Sequence, residues 1–242
     1  MAYCCNSLYT ILSVFKGVTS IKDEKEKYKE LARQFEKVAK GVFFGGYFQV
    51  NNIRRIYPIE IEFYYHEESP DGLKDPVMYH TKEHTKDESL SYYPLGSLNF
   101  HVSGMDVTFE KEEEYRASFL ICKYKVHDLV TKEWKEEERS TYIYEDMLMR
   151  ISIFDGINLQ WISEQEPVDD WNPHIEWRKN VADYEKDESG QYKKDEKGNY
   201  IKIEFKGSKE DFKKLSDIEK KEYFTYSGKI FEKCTRQWRY RK

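Results

Sequence analysis

Metal-type cysteine spacing is missing from this chain: Cys4, Cys5, Cys122 and Cys234 form no Cys-x-x-Cys pair. An adjacent pair such as Cys4-Cys5 does not close a disulfide of ordinary geometry, so free thiols in a reducing compartment fit best. Positive charge is also short. Lys and Arg number 40 against 45 Asp and Glu, for a net charge of −5, so no global field draws the protein to nucleic acid or anionic lipid. Any polyanion site must be a local basic patch. No apolar run approaches the length of a membrane span, and residues 1–18, although moderately apolar, lack a basic start and a small-residue cleavage site. Together these absences predict a soluble cytoplasmic protein that meets no membrane.

What is present is length, aromatics and alternation. At 242 residues the chain can build a substantial core, and a single domain is expected. Twenty tyrosines suit either stacking surfaces or amphipathic strands, and strands are the plainer account. Residues 55–68, Arg-Ile-Tyr-Pro-Ile-Glu-Ile-Glu-Phe-Tyr-Tyr-His-Glu-Glu, alternate with a period of two and read as a half-buried strand. Ile59, Ile61, Phe63 and Tyr65 then share one face, while Glu60, Glu62, Tyr64 and His66 share the other. Such a polar face is either solvated or the lining of a site.

Around this strand the pattern predicts a helix over 21–40, with Ser20 as its N-cap and Gly41 as its stop. Strands 47–50 and 53–66 follow, joined by a tight turn at Asn51-Asn52. Residues 67–94 form a long, charged surface loop in which His80 and His84 stand four apart. Without an HExxH motif a metal site there is the weaker reading. Residues 98–110 alternate as one strand with Gly104 marking a bulge or a close backbone approach, residues 115–126 make the next strand, and 140–153 look helical before a turn at Gly156. The fold class is therefore α+β: a mainly antiparallel sheet flanked by helices, in one domain over 1–242 with a charged surface elaboration at about 178–221. That elaboration holds two Asp-x-x-Gly-x-Tyr copies, ending at Tyr192 and Tyr200, and an exposed helix over 208–221. The closing Thr-Arg-Gln-Trp-Arg-Tyr-Arg-Lys is basic and aromatic. Arg236, Arg239, Arg241 and Lys242 form a candidate phosphate-backbone contact; the alternative is a terminal strand with Trp238 in the core and its arginines in solvent.

Taken in order over about residues 31–242, these segments resemble the alkyladenine (3-methyladenine) DNA glycosylase family. The family's Glu-x-Glu-Ala-Tyr strand is similar to Glu60-Ile61-Glu62-Phe63-Tyr64, and its Asp-Pro-x-x-His loop to the run from Asp75 to His80, with one extra residue. Gly96 through Gly104-Met105 looks like its Gly-x-x-Tyr strand ending in Gly-Met, and Gln237-Trp238-Arg239-Tyr240 like its closing Pro-Trp-Arg-Phe. The resemblance implies the curved sheet of that fold and a monofunctional DNA N-glycosylase in base-excision repair. No metal ion or organic cofactor and no obligate protein partner are implied. By position Glu62 would deprotonate the water that attacks C1′ of a flipped-out nucleotide. Tyr64 and His80 would sandwich the extruded base, with Phe100 and Glu110 also at the substrate. The chemistry is coherent: breaking an N-glycosidic bond leaves positive charge on the sugar, which a nearby carboxylate stabilises while it activates water.

Three positions depart from the family pattern. Ser103 stands where the family inserts a tyrosine into the duplex, and serine is too small for a wedge. Glu110 replaces a pocket asparagine and Cys122 replaces an arginine that helps position the water. If those side chains converge on Glu62, a lost cation and an added carboxylate favour a protonated, weaker base. The expected activity is release of an alkylated purine from damaged DNA, including single-stranded or mispaired sites. The alternative is a non-catalytic protein on the same scaffold that binds a planar, base-like ligand.

Overall fold

The first helix is set by Ser7, whose hydroxyl accepts the Thr10 N–H; α1 (Leu8–Ser13) buries Ile11 and Leu12. In the computed structural model the described residues are 7–242 except 76, 150, 153, 155, 165–167, 169–170, 179–180, 190–191 and 235, so Cys4 and Cys5 lie outside them. Asp23 caps α2 (Glu24–Phe44) in place of Ser20, its carboxylate accepting the Glu26 N–H at 2.9 Å. The helix runs through Gly41 because that glycine serves packing: a Cβ there would lie 2.6 Å from Cγ2 of Ile11 on α1. Leu31, Phe35, Val38, Ala39 and Val42 form its buried face.

Three residues, Asn51, Asn52 and Ile53, join β1 (Gly46–Val50) to β2 (Arg54–Glu67). Asn51 and Asn52 both hold positive φ, 47° and 57°, and the Ile53 N–H donates to the Val50 carbonyl at 2.8 Å, as the expected tight turn requires. The long loop contains a short helix, α3 (Lys82–Thr85). Residues 98–110 make a hairpin in place of one bulged strand: β3 (Leu98–His101) pairs antiparallel with β4 (Gly104–Thr108) around Val102 and Ser103. Next come β5 (Tyr115–Asp128), β6 (Trp134–Glu137), a 3₁₀ turn over Ser140–Tyr142 and α4 (Ile143–Leu148). This helical stretch is shorter than the expected 140–153, since Met149 is already extended. The remaining elements are β7 (Leu159–Ser163), β8 (His174–Glu176), α5 (Lys209–Lys214), α6 (Asp217–Lys220), β9 (Tyr223–Tyr226), β10 (Lys229–Glu232) and β11 (Arg239–Arg241).

The result is an α+β fold with a large, mainly antiparallel sheet and few helices. Strand order is β3-β4-β5-β2-β1-β7, with β11 also on β2 and β6 also on β5. At the centre, β2 and β5 pair from Arg54↔Asp128 to Glu67↔Tyr115. Midway, Ile59 of β2 and Cys122 of β5 drop out of register. Each extra residue shifts the side-chain parity of its strand. Ile56 faces the core on one side of the irregularity, and Ile61, Phe63 and Tyr65 on the other. Pro58, which has no N–H to offer a ladder, sits where the free edge of β2 passes from β1, which reaches Ile56, to β11, which begins at Glu60. Helix α2 covers the core face, with Phe35 stacked on Phe63 at 4.3 Å between ring centroids.

The chain divides into two compact units: residues up to Ile175 with Trp238–Lys242, and Glu176–Gln237. The expected elaboration at about 178–221 lies within the second. There the Asp-x-x-Gly-x-Tyr copies fall on two antiparallel bridges, Lys186↔Tyr192 and Lys194↔Tyr200. Gly190 lies outside the described residues. The eight-residue period closes a ring of three backbone hydrogen bonds, Glu185 to Ile201, Ile201 to Lys193 and Lys193 to Glu185. The helix expected over 208–221 is split into α5 and α6, because Ser208 and Ser216 each form a capping box. Among the described residues no helix is long and apolar enough to cross a membrane.

Candidate functional site

Strand parity turns Glu60, Glu62, Tyr64 and His66 of β2 away from the core, as the alternation predicts, but that face is not solvated. Glu60 and Glu62 retain 2% and 3% exposure. Their partners come from β11, which runs antiparallel to β2 in the register Arg239↔Glu62 and Arg241↔Glu60. One Arg239 nitrogen donates to Oε2 of Glu62 at 3.2 Å and another contacts Glu60, while Arg241 donates to Glu60 at 2.7 Å. Burial pushes the Glu60 carboxyl up, yet the two guanidiniums outweigh it and hold it below the usual carboxylate range. Tyr64 donates its hydroxyl to the other oxygen of Glu62 at 2.8 Å.

The basic tail therefore divides. Arg239 is buried against glutamates and does not face outward for a phosphate, because pairing with β2 turns it onto the Glu60–Glu62 face. Arg241 is half-exposed and bound to Glu60, and Lys242 is exposed with its ammonium 4.5 Å from the Phe44 ring. Arg236 belongs to the other unit, where it bonds the Tyr192 hydroxyl and is buried. Trp238 packs in the core, as the terminal-strand alternative holds.

The long loop folds onto the C-terminal half of the same face. Arg116, fully buried on β5, binds Glu68 and the carbonyls of Leu90 and Ser91, and its guanidinium lies 4.2 Å from the Tyr92 ring. His80 lies here and not in α3, so it shares no helix with His84. Among the described residues no group of three or more His, Cys, Asp or Glu side chains is arranged to hold a metal ion. Nε2 of His80 is 2.8 Å from Glu110, whose carboxylate also meets Arg116 at 3.3 Å and accepts the Tyr93 N–H at 2.8 Å. The rings of Tyr79 and Tyr93 flank His80 at 5.2 and 5.5 Å.

The structure thus joins Glu62 to Tyr64 and His80 to Glu110. Phe100 stands apart: the hairpin pairs it with core-facing Met105, so it leaves the Glu62 face and lies 40% exposed against Tyr144. Asn99 and Asp106 occupy the row instead, for Asp106 and Glu62 are both register partners of Leu120. Asp106 is buried and 3.2 Å from His101. Glu110 and Cys122 have separate surroundings. Glu110 is engaged by Arg116 and His80, and Arg239 supplies a cation on the side where Cys122 stands. Burial and then the Glu62 charge push the Cys122 thiol well above its usual range, so it stays protonated and is a poor nucleophile. Arg239, expected at a phosphate backbone, is instead the partner of Glu62, a role the sequence reading did not assign to it. Its signal is the matched spacing of Glu60-x-Glu62 and Arg239-x-Arg241, which antiparallel pairing converts into ion pairs.

No protein-family model, curated protein or solved structure matched the chain.

Proposed function

We propose that this protein is a divergent DNA N-glycosylase, with a sheet of the 3-methyladenine DNA glycosylase type, that hydrolyses the N-glycosidic bond of an alkylated purine in damaged DNA. The observation that carries this is the Tyr64–Glu62–Arg239 line, in which the Tyr64 hydroxyl and an Arg239 nitrogen donate to different oxygens of one carboxylate. A carboxylate held in a fixed orientation is the group that can orient a water and take its proton. The negative charge of the carboxylate opposes the positive charge developing at C1′. Damaged base is the substrate, water the nucleophile, and no cofactor enters.

Single-stranded or mispaired sites are the better substrates, because the β3–β4 turn carries only Val102 and Ser103 and neither is the tyrosine of the resembled family. Unstacking a base costs least where it is already unpaired. Release of modified purines from alkylated single- and double-stranded DNA tests this, with more release per lesion expected from the single strand. A preference for intact duplex would contradict the assignment.

A second reading is favoured by enclosure: Glu62 keeps 3% exposure and His80 is packed by Tyr79, Tyr93 and Glu110. On that reading the charged face is structural and the protein binds a planar ligand without chemistry. Absence of base release from either substrate selects it.

A further inference from the structure

We propose that a second part of the outward sheet face, built from Tyr57, His127 and Trp134 over a buried Tyr47, binds single-stranded nucleic acid by stacking its bases. The kind of polymer rests on the glycosylase proposal; the surface rests on ring geometry alone. His127 of β5 and Trp134 of β6 are cross-strand partners whose rings stack at 4.3 Å and 5°. The Tyr57 ring of β2 lies 5.4 Å from Trp134, and the Tyr47 ring of β1 lies 4.9 Å from Tyr57. Three neighbouring strands thus contribute one ring each to the accessible strip: Trp134 leaves 57% of its surface exposed, Tyr57 and His127 are half-buried, and Tyr47 is buried and supports Tyr57 from β1. An exposed indole held flat on an imidazole is a ready π-face for a planar ring.

Cations are interleaved with these rings. Arg55 is the register partner of His127 and Lys125 that of Tyr57. The Arg55 guanidinium lies 4.8 Å from the Tyr47 ring. Acids also border the array: Glu136 meets Lys123 at 2.8 Å and Lys125 at 3.8 Å, Glu138 meets Lys123 at 2.6 Å, and the Glu164 charge acts on Tyr57. Aromatic side chains alternating with basic ones are the chemistry that holds a single strand without reading its sequence. A platform for neutral sugars has no use for a cation beside each ring.

The mid-strand irregularity is what connects this strip to Glu62. Without the parity shift at Ile59, Tyr57 would face the side opposite Glu62; with it, Arg55, Tyr57, Glu60 and Glu62 all turn away from the core. Tyr57 and Glu62 are then about 15 Å apart along β2 at the usual rise per residue. A few nucleotides flanking a damaged base at Glu62 would span that interval.

Fluorescence anisotropy of a labelled 12-nucleotide single-stranded DNA tests the strip, using full-length protein, Trp134→Ala, Trp134→Phe and Lys125→Ala. Trp134→Ala is expected to weaken binding about 5- to 100-fold with an unchanged salt slope, and Trp134→Phe to retain most of the affinity. Lys125→Ala should make the salt slope shallower. Trp134 is exposed, and an unchanged thermal midpoint would confirm that each variant folds. Equal affinity of Trp134→Ala and wild type would overturn the strip, as would failure of the wild type to bind the oligonucleotide at low salt or displacement of the DNA by a neutral oligosaccharide such as chitohexaose. Base release with affinity unaffected by Trp134→Ala would remove the strip and leave the glycosylase. Binding that depends on Trp134 without base release would do the reverse.

Discussion

Arg239 is the residue on which most depends. It is buried with Glu60 and Glu62, and charges withdrawn from water persist only when paired. Arg239→Met keeps most of the volume but leaves Glu62 without its cation, and should lower unfolding free energy in denaturant titration by about 3–5 kcal/mol. A change below 1 kcal/mol would mean that water reaches the carboxylates. His66 supplies a pH signature. Burial is the main force pushing its pKa down to about 4, with Lys74 adding to it and Glu68, Glu83 and Asp75 opposing. Its Nδ1 accepts the Asp75 N–H at 3.3 Å, as a neutral imidazole can. Between the unfolded value near 6.5 and about 4 the unfolded chain binds the extra proton, so stability is full above that window and falls as pH drops through it. His66 should account for a loss on the order of 3 kcal/mol at about 1.4 kcal/mol per pKa unit. His66→Asn, whose amide oxygen can replace the accepting nitrogen, should flatten the profile over that range; an unchanged slope in denaturation from pH 7 to 4 would refute this. The Glu-x-Glu alternation was legible in the sequence. The arginine that completes it was not, for it lies 177 positions away and local patterning says nothing of such a partner.

At the scale of elements, periodicity told most where a segment is long. Helix α2, the Asn51-Asn52 turn and the strands β2 and β5 follow from apolar spacing and turn chemistry. Failures came where one local signal has two meanings. Gly41 reads as a stop but is a contact with Ile11; of the two readings of Gly104 the close approach holds, since a Cβ there would lie 3.0 Å from Leu120 and from the Ser140 carbonyl, while the bulge gives way to the start of a hairpin's return strand. Phe100, placed at the substrate by the resemblance, stands off the Glu62 face because a hairpin pairs even positions with odd ones. Likewise a continuous alternation through Ile59 hid the parity shift that puts Tyr57 and Glu62 on one side. The packing of α2 on the sheet gives the element-scale prediction. Phe35 is fully buried, stacked on Phe63 and edge-on to Trp238 at 5.3 Å. Phe35→Ala should cost about 3–5 kcal/mol in chemical denaturation, since the cavity lies between helix and sheet. A loss under 1 kcal/mol would show that α2 is not what covers the core.

For the whole molecule, charge sets the terms. A chain with net charge −5 meets DNA only through local groups, and pairing of β11 with β2 withdraws Arg239 from that set. What stays is a large antiparallel sheet with one apolar face under α2 and one polar face that carries two carboxylates, a phenol and a guanidinium at its centre. The α+β class and the alternating faces were readable from sequence because both are written in a period of two; what covers the polar face was not, because it comes from the far end of the chain and from a loop without periodicity. The central claim is that Glu62 takes a proton from water at a sugar carbon. Its most direct test is base release from alkylated single-stranded DNA by wild type and Glu62→Gln side by side. Glutamine keeps the size and an acceptor oxygen but cannot serve as the base, so release should fall about 10²- to 10⁴-fold while DNA affinity changes little and Arg239, still paired with Glu60, keeps the fold. Equal rates for the two proteins would contradict it.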